Sequence, residues 1–248
     1  YSHSARLVSK AAWVLGRTED AERYESLAGE IRQAVREAFL PPGRMPSADT
    51  QTALVVFLKM DLAPEDMKPL IARRLDDRIR ENGFRLQTGF IGTPSLCMVL
   101  SEYGYNETAY RLLLQEGYPG WLYAVRLGAT TVWERWNSLL PDGTLSDLRM
   151  NSLNHYAYGS VVEWMYRHMC GIQPVESHPG FRRIRLAPKP NRSLAWARAV
   201  HDAPSGRIES EWRYPEGGGI EYRFAIPYGV VADVRLGASR PEGVLVNG

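Results

Sequence analysis

Met169-Cys170-Gly171-Ile172-Gln173-Pro174 separates two kinds of sequence. Up to about residue 171 the apolar positions recur at helical spacing. Beyond it Pro174, Pro179, Pro188 and Pro190 interrupt any helix, and the apolar residues gather into short runs. Just upstream, the pattern predicts a last long helix that follows Asn151, carries Leu153, Tyr156, Ala157, Ser160, Val161, Trp164, Met165 and Met169 on one stripe, and ends at Cys170-Gly171. On this reading Asn151 and Asn154 cap that helix, and His155 sits in its first turn. Just downstream, residues 181–186, 194–200, 207–214, 220–226 and 230–236 read as short strands. Ser205-Gly206 and Gly217-Gly218-Gly219 supply the turns, and Phe181, Trp196, Trp212 and Phe224 the apolar core.

Further outward, Ala21, Tyr24, Leu27, Ala28, Ile31, Ala34, Val35, Ala38 and Phe39 form one helical face closed by Pro41-Pro42. Leu7, Val8, Ala11, Ala12 and Leu15 form another before Gly16, and the two make an antiparallel pair. Helices also read over 49–60, 65–80, 94–103 and 106–115. Asp49 reads as an N-cap, Thr93-Pro94 as a cap with a first-turn proline, and Asn82-Gly83 and Gly104 as stops. Helices first and strands afterwards imply two packed units, a helical domain and a small antiparallel β-sandwich. Helix pairs of this length also build binding solenoids, but no fixed-spacing consensus repeats, and the long stretch 116–150 suits a toroid of helix pairs around a pocket better.

Composition narrows the function. The 30 basic and 28 acidic residues give a net charge of only +2, which argues against a nucleic-acid or membrane-surface partner. Cys97 and Cys170 lie in apolar helical stretches and read as small buried hydrophobes. No apolar run approaches the roughly 20 residues of a membrane span, and no signal pattern precedes the first helix. The chain begins at Tyr1 rather than Met, so the sequence leaves the compartment open. No metal-ligand spacing, phosphate loop or dinucleotide fingerprint is present, and no cofactor is expected.

The chemistry concentrates in Gly128-Ala129-Thr130-Thr131-Val132-Trp133-Glu134-Arg135-Trp136, where a carboxylate lies between two indoles in a segment without helix or strand periodicity. Sugars stack their C–H faces on aromatic rings, and an acid between such rings can move a proton to or from water or a leaving oxygen. The plainer alternative is a Glu134–Arg135 ion pair beside core tryptophans. Asp142 and Asp147 read as solvated loop acids, with Pro141-Asp142-Gly143 a turn.

With these motifs in order, the sequence resembles the bacterial α-L-rhamnosidases of glycoside hydrolase family 78. The resemblance rests on residues 88–94 (TGFIGTP), 118–123 (YPGWLY), 128–136, 151–161 (NSLNHYAYGSV) and 179–184 (PGFRRI). It implies the C-terminal half of an (α/α)6 catalytic barrel over residues 1–172 and a C-terminal β-sandwich over 173–248, acting on a rhamnoside substrate. It assigns Glu134 as the general base of an inverting hydrolysis and His155 as a sugar contact. The general acid, with the other half of the barrel, is expected upstream of Tyr1. The start of a helix would hold His155 neutral, as a hydrogen-bond donor to a sugar hydroxyl, and the alternative is a core histidine bonded to a carbonyl. Trp121, Trp133 and Trp136 are candidate stacking platforms or core residues. Two other functions stay open: an (α/α)6 glycosidase of different sugar specificity, and a non-catalytic helical scaffold that binds carbohydrate.

Overall fold

The computed structural model describes residues 1–41, 43–237 and 244. The chain divides into two compact units, Tyr1–Tyr158 and Gly159–Gly248. The first is helical, and the second opens on a short helical stretch and continues in strands, the order in which the two grammars occur in the sequence.

Consecutive helices of the first unit pack in pairs. α1 (Ser2–Val14) and α2 (Thr18–Phe39) meet through small side chains, Ala5, Ser9 and Ala12 against Ala21 and Ala28, and Ser2 Oγ donates to the Ala28 carbonyl at 2.8 Å. Small residues let two helices approach closely, at the expense of the larger apolar side chains. Leu7, Val8, Trp13 and Val14 on α1, and Leu15 just after it, are all exposed. Pro42, expected to help close α2, lies outside the described residues.

α3 (Gln51–Lys59) pairs with α4 (Lys68–Glu81), and α5 (Thr93–Glu102) with α6 (Asn106–Leu113). Their core repeats at three- and four-residue steps: Leu54, Val55 and Leu58 on α3, Ile71, Leu75 and Ile79 on α4, Leu96, Val99 and Leu100 on α5, Ala109, Tyr110 and Leu112 on α6. Polar residues fasten the pairs. Asp61 accepts from Arg6 at 3.2 Å, Arg32 at 3.3 Å and Lys68 at 2.6 Å.

Two helix starts differ from expectation. The α3 cap is Thr50, whose hydroxyl accepts the Ala53 N–H at 3.1 Å. Asp49 instead clamps Arg74 at 2.6 Å and Arg78 at 2.9 Å, and the Arg74 hydrogen bond holds its carboxyl below the usual range. Thr93 is the first residue of α5 rather than its cap, because its hydroxyl pairs with that of Thr88 at 2.7 Å. A short helix not expected from the sequence, α7 (Trp121–Arg126), follows.

The last helical stretch is shorter and less regular than its stripe suggests. It begins as a 3-10 turn at Ala157–Ser160, continues as α8 (Val161–Trp164) and closes as a π turn at Met165–Met169. Residues 151–156 are not helical, Leu153 and Tyr156 are exposed, and His155 therefore stands outside any helix. Asn151 and Asn154 do not cap it. Asn151 Nδ2 donates to the Ser138 carbonyl at 2.9 Å, and the Asn154 N–H to Ser152 Oγ at 3.1 Å.

In the second unit β1 (Ile172–Pro174), β2 (Arg183–Leu186) and β6 (Val231–Val234) form one sheet, and β3 (Trp196–Ala203), β4 (Gly206–Arg213) and β5 (Glu221–Ala225) the other. All pairings are antiparallel except β2–β6, because β6 returns to the first sheet by a crossover instead of a hairpin. Ile172, Ile184, Leu186, Ile208 and Trp212 are buried, with Ala197 and Ala199 on the inward positions of β3. Trp196 takes an outward position in that alternation and is 63% exposed, so it is not core; Phe181 and Phe224 are half-buried.

Gly171 is the hinge of the switch. Its φ is +79°, and a Cβ there would lie 2.1 Å from the Pro188 nitrogen, so the position admits glycine alone. Just before it, Trp212 Nε1 donates to the Met169 carbonyl at 2.8 Å and Ser210 Oγ donates to the Cys170 carbonyl. Among the described residues no helix is long and apolar enough to cross a membrane, and no three metal-ligating side chains cluster.

Candidate active site

Residues 131–134 and 152–155 run side by side. The Glu134 N–H donates to the Ser152 carbonyl at 2.9 Å and the His155 N–H to the Val132 carbonyl at 2.8 Å, while Thr131 Oγ1 donates to the Leu153 carbonyl. The second segment carries one more residue than the first between the two backbone bonds, a bulge-like pairing of the kind that re-aims side chains near sites. This explains why 151–156 is not helical: its backbone groups are already engaged across the ladder.

The ladder fixes Glu134 twice. Its backbone is paired, and its Oε2 accepts the Ser152 N–H at 2.7 Å. Among the described residues Oε1 makes no hydrogen bond, yet it is not sealed from solvent. The ion pair considered for Glu134 is absent from those residues: Arg135 pairs with Asp147 at 3.2 Å. Asp142 accepts from the backbone and hydroxyl of Thr144 in its own turn, and that bonding lowers its pKa.

His155 is oriented from its other side. The Ala157 N–H donates to Nδ1 at 3.3 Å, so the neutral ring carries its proton on Nε2. The Phe90 ring lies parallel to the imidazole, with centroids 4.8 Å apart and planes 8° apart.

A continuous run of rings joins these parts. Trp136 stacks on Tyr158 at 3.9 Å and 6°, Trp121 meets Trp136 edge-on at 5.3 Å, and Phe90 tilts against Tyr158 at 5.3 Å. Both indole N–H groups are satisfied by backbone, Trp136 donating to the Thr88 carbonyl at 3.1 Å and Trp121 to that of Tyr158 at 2.8 Å. Gly92 allows the Thr88–Pro94 turn to close, since a Cβ there would lie 2.8 Å from Thr52 Oγ1. Burial raises the Tyr158 pKa, with smaller contributions from Tyr118 and Glu134.

The structure therefore brings Glu134, His155, Trp121 and Trp136 to one region of the helical unit. Trp133 differs. It is 4% exposed and offers no ring face to a solute, so its role is in the core. Tyr158 and Phe90 join the site although the sequence reading did not single them out; both lie inside motifs quoted above, and only the ring contacts distinguish them.

Comparison with known proteins gives a consistent result. Residues 1–169 match the bacterial alpha-L-rhamnosidase 6 hairpin glycosidase domain, and residues 171–247 the bacterial alpha-L-rhamnosidase C-terminal domain. An alpha-L-rhamnosidase of Streptomyces avermitilis is 38% identical over 244 residues, covering 98% of this chain and 23% of that protein. One from Formosa agariphila is 37% identical over 248 residues, covering 100% of this chain and 26% of the relative. The chain thus spans about a quarter of the length of these relatives. The crystal structure of the Streptomyces avermitilis enzyme complexed with L-rhamnose superposes with a TM-score of 0.90 at 38% identity, over 97% of this chain and 23% of that one. With its helical and its sheet-forming parts each matched in turn, this chain belongs to the bacterial α-L-rhamnosidases, glycoside hydrolase family 78.

Proposed function

We propose that the chain is the base-bearing part of an inverting α-L-rhamnoside hydrolase. The observation that carries this reading is the Glu134 carboxylate, held through Oε2 by the Ser152 N–H while Oε1 has no protein partner among the described residues. An anchored carboxylate with one unengaged oxygen suits a base that takes a proton from water. The water oxygen attacks the anomeric carbon as the bond to the leaving oxygen breaks, and a general acid supplies that oxygen with a proton. In an inverting enzyme the two carboxyl groups stand roughly 6.5–9.5 Å apart so that water fits between them. The acid belongs to the portion of the protein upstream of Tyr1, together with the helices that would cover the apolar face of α1.

The family membership and the L-rhamnose named with the Streptomyces avermitilis structure support rhamnose as the sugar. Rhamnose bears a methyl group on C5, and the half-buried Trp136 and Trp121 rings offer it apolar surface. His155 Nε2–H serves as donor to a sugar hydroxyl.

Glu134→Gln in the full-length protein keeps the shape and removes the basicity. Turnover of an aryl α-L-rhamnoside should fall at least about a hundredfold with binding retained. Proton NMR during hydrolysis by the parent should show β-rhamnose appearing first. Near-normal turnover by the variant removes Glu134 from the reaction, and an initial α-anomer rules out inversion.

A further inference from the structure

Tyr158 presents a combination that packing alone does not require. Its side chain is 7% exposed, with one ring face laid on Trp136 at 3.9 Å and Phe90 against it at 5.3 Å. Its carbonyl is held by the Trp121 indole at 2.8 Å, so backbone and ring are both fixed. Yet no described residue hydrogen-bonds the phenolic hydroxyl, and that oxygen is not sealed from solvent. A phenylalanine would fill the same space without a polar atom to satisfy. Because solvent reaches this hydroxyl and no described protein group bonds it, its partner is water in the free protein or a ligand that displaces that water.

Its neighbours indicate what that partner is. The ring lies between Trp136, two residues from Glu134, and Phe90, which stacks on His155. We propose that Tyr158 is a substrate-contacting residue, its hydroxyl donating a hydrogen bond to one specific hydroxyl of the bound sugar. This rests on the reading of the site as a rhamnoside-hydrolysing one and extends it, giving the site a donor held rigid by a stack of rings. Such a donor needs no ordering when the sugar arrives, which favours selection of one hydroxyl over uniform affinity. A phenol is protonated, and therefore a donor, throughout the neutral range.

The test uses the full-length protein, Tyr158→Phe, and four aryl α-L-rhamnosides: the parent and its 2-, 3- and 4-deoxy forms. On the parent substrate the variant should lose roughly tenfold in kcat/KM with an unchanged thermal midpoint. One deoxy substrate should cost the wild type a similar factor and cost the variant nothing further, while the other two penalise both proteins alike. A uniform loss across all four substrates would assign Tyr158 a structural role and overturn the proposal, as would a variant within twofold of wild type on the parent. No hydrolysis of any rhamnoside by the wild type would overturn the functional reading and this inference together, which separates that failure from one confined to Tyr158.

Discussion

His155 has one ring nitrogen engaged by the Ala157 N–H, and among the described residues the other makes no hydrogen bond, so on the proposed reading its part is what Nε2–H donates to. His155→Ala in the full-length protein should weaken rhamnose binding by about 1–3 kcal/mol, as for a hydrogen bond lost in a desolvated site. Isothermal titration with L-rhamnose measures it, and the thermal midpoint should fall by much less in proportion. Normal binding with a large drop in midpoint would make the residue core. The sequence singled out this histidine through its motif but placed it in the first turn of a helix, and no helix begins there; the Ala157 N–H at Nδ1 orients the ring instead. Trp133 and Trp136 both flank Glu134, and the sequence only leaned toward Trp136 as the platform. Only the ladder decides that Trp133 is buried while Trp136 lies over Tyr158.

Among the elements, the switch at Gly171 is the most constrained. Gly171→Ala asks for a left-handed φ and places a methyl carbon on the backbone of Ala187 and Pro188. Roughly 2–4 kcal/mol should be lost, from the unfavourable φ and the forced displacement of β2. Calorimetry on the full-length protein should show a transition moved to lower temperature, and an unchanged thermogram would mean that the β1–β2 corner can relax. Period and breakers made the helices and five of the strands legible, and Gly171 marked the change of pattern at the right place. They did not reveal β1, three residues of mixed polarity, or α7, too short for a period to repeat. Residues 151–156 were misread for a different reason. Their apolar spacing fits a helix, but their hydrogen bonds are claimed by a segment about 20 residues away, and no local pattern reports such a pairing.

At the scale of the whole chain, α1 exposes Leu7, Val8, Trp13 and Val14, with Leu15 following at its end. An apolar face of this kind seeks a partner. Residues 1–248 expressed alone should associate or aggregate, and on the proposed reading should hydrolyse no rhamnoside; sedimentation and an aryl-rhamnoside assay check both. A monodisperse monomer that turns over substrate would place the acid within this chain. The ladder that holds Glu134 and His155 has a consequence for divergence. Its two sides are joined by residues 135–151, whose outer tip hangs from the bridge between Leu139 and Leu145 and includes the exposed turn at Asp142-Gly143. The backbone bonds of the ladder are made by residues on either side of that tip, so insertions and deletions within it leave their register intact. Divergence in the length or composition of the tip can therefore proceed without moving the backbone on which Glu134 and His155 stand.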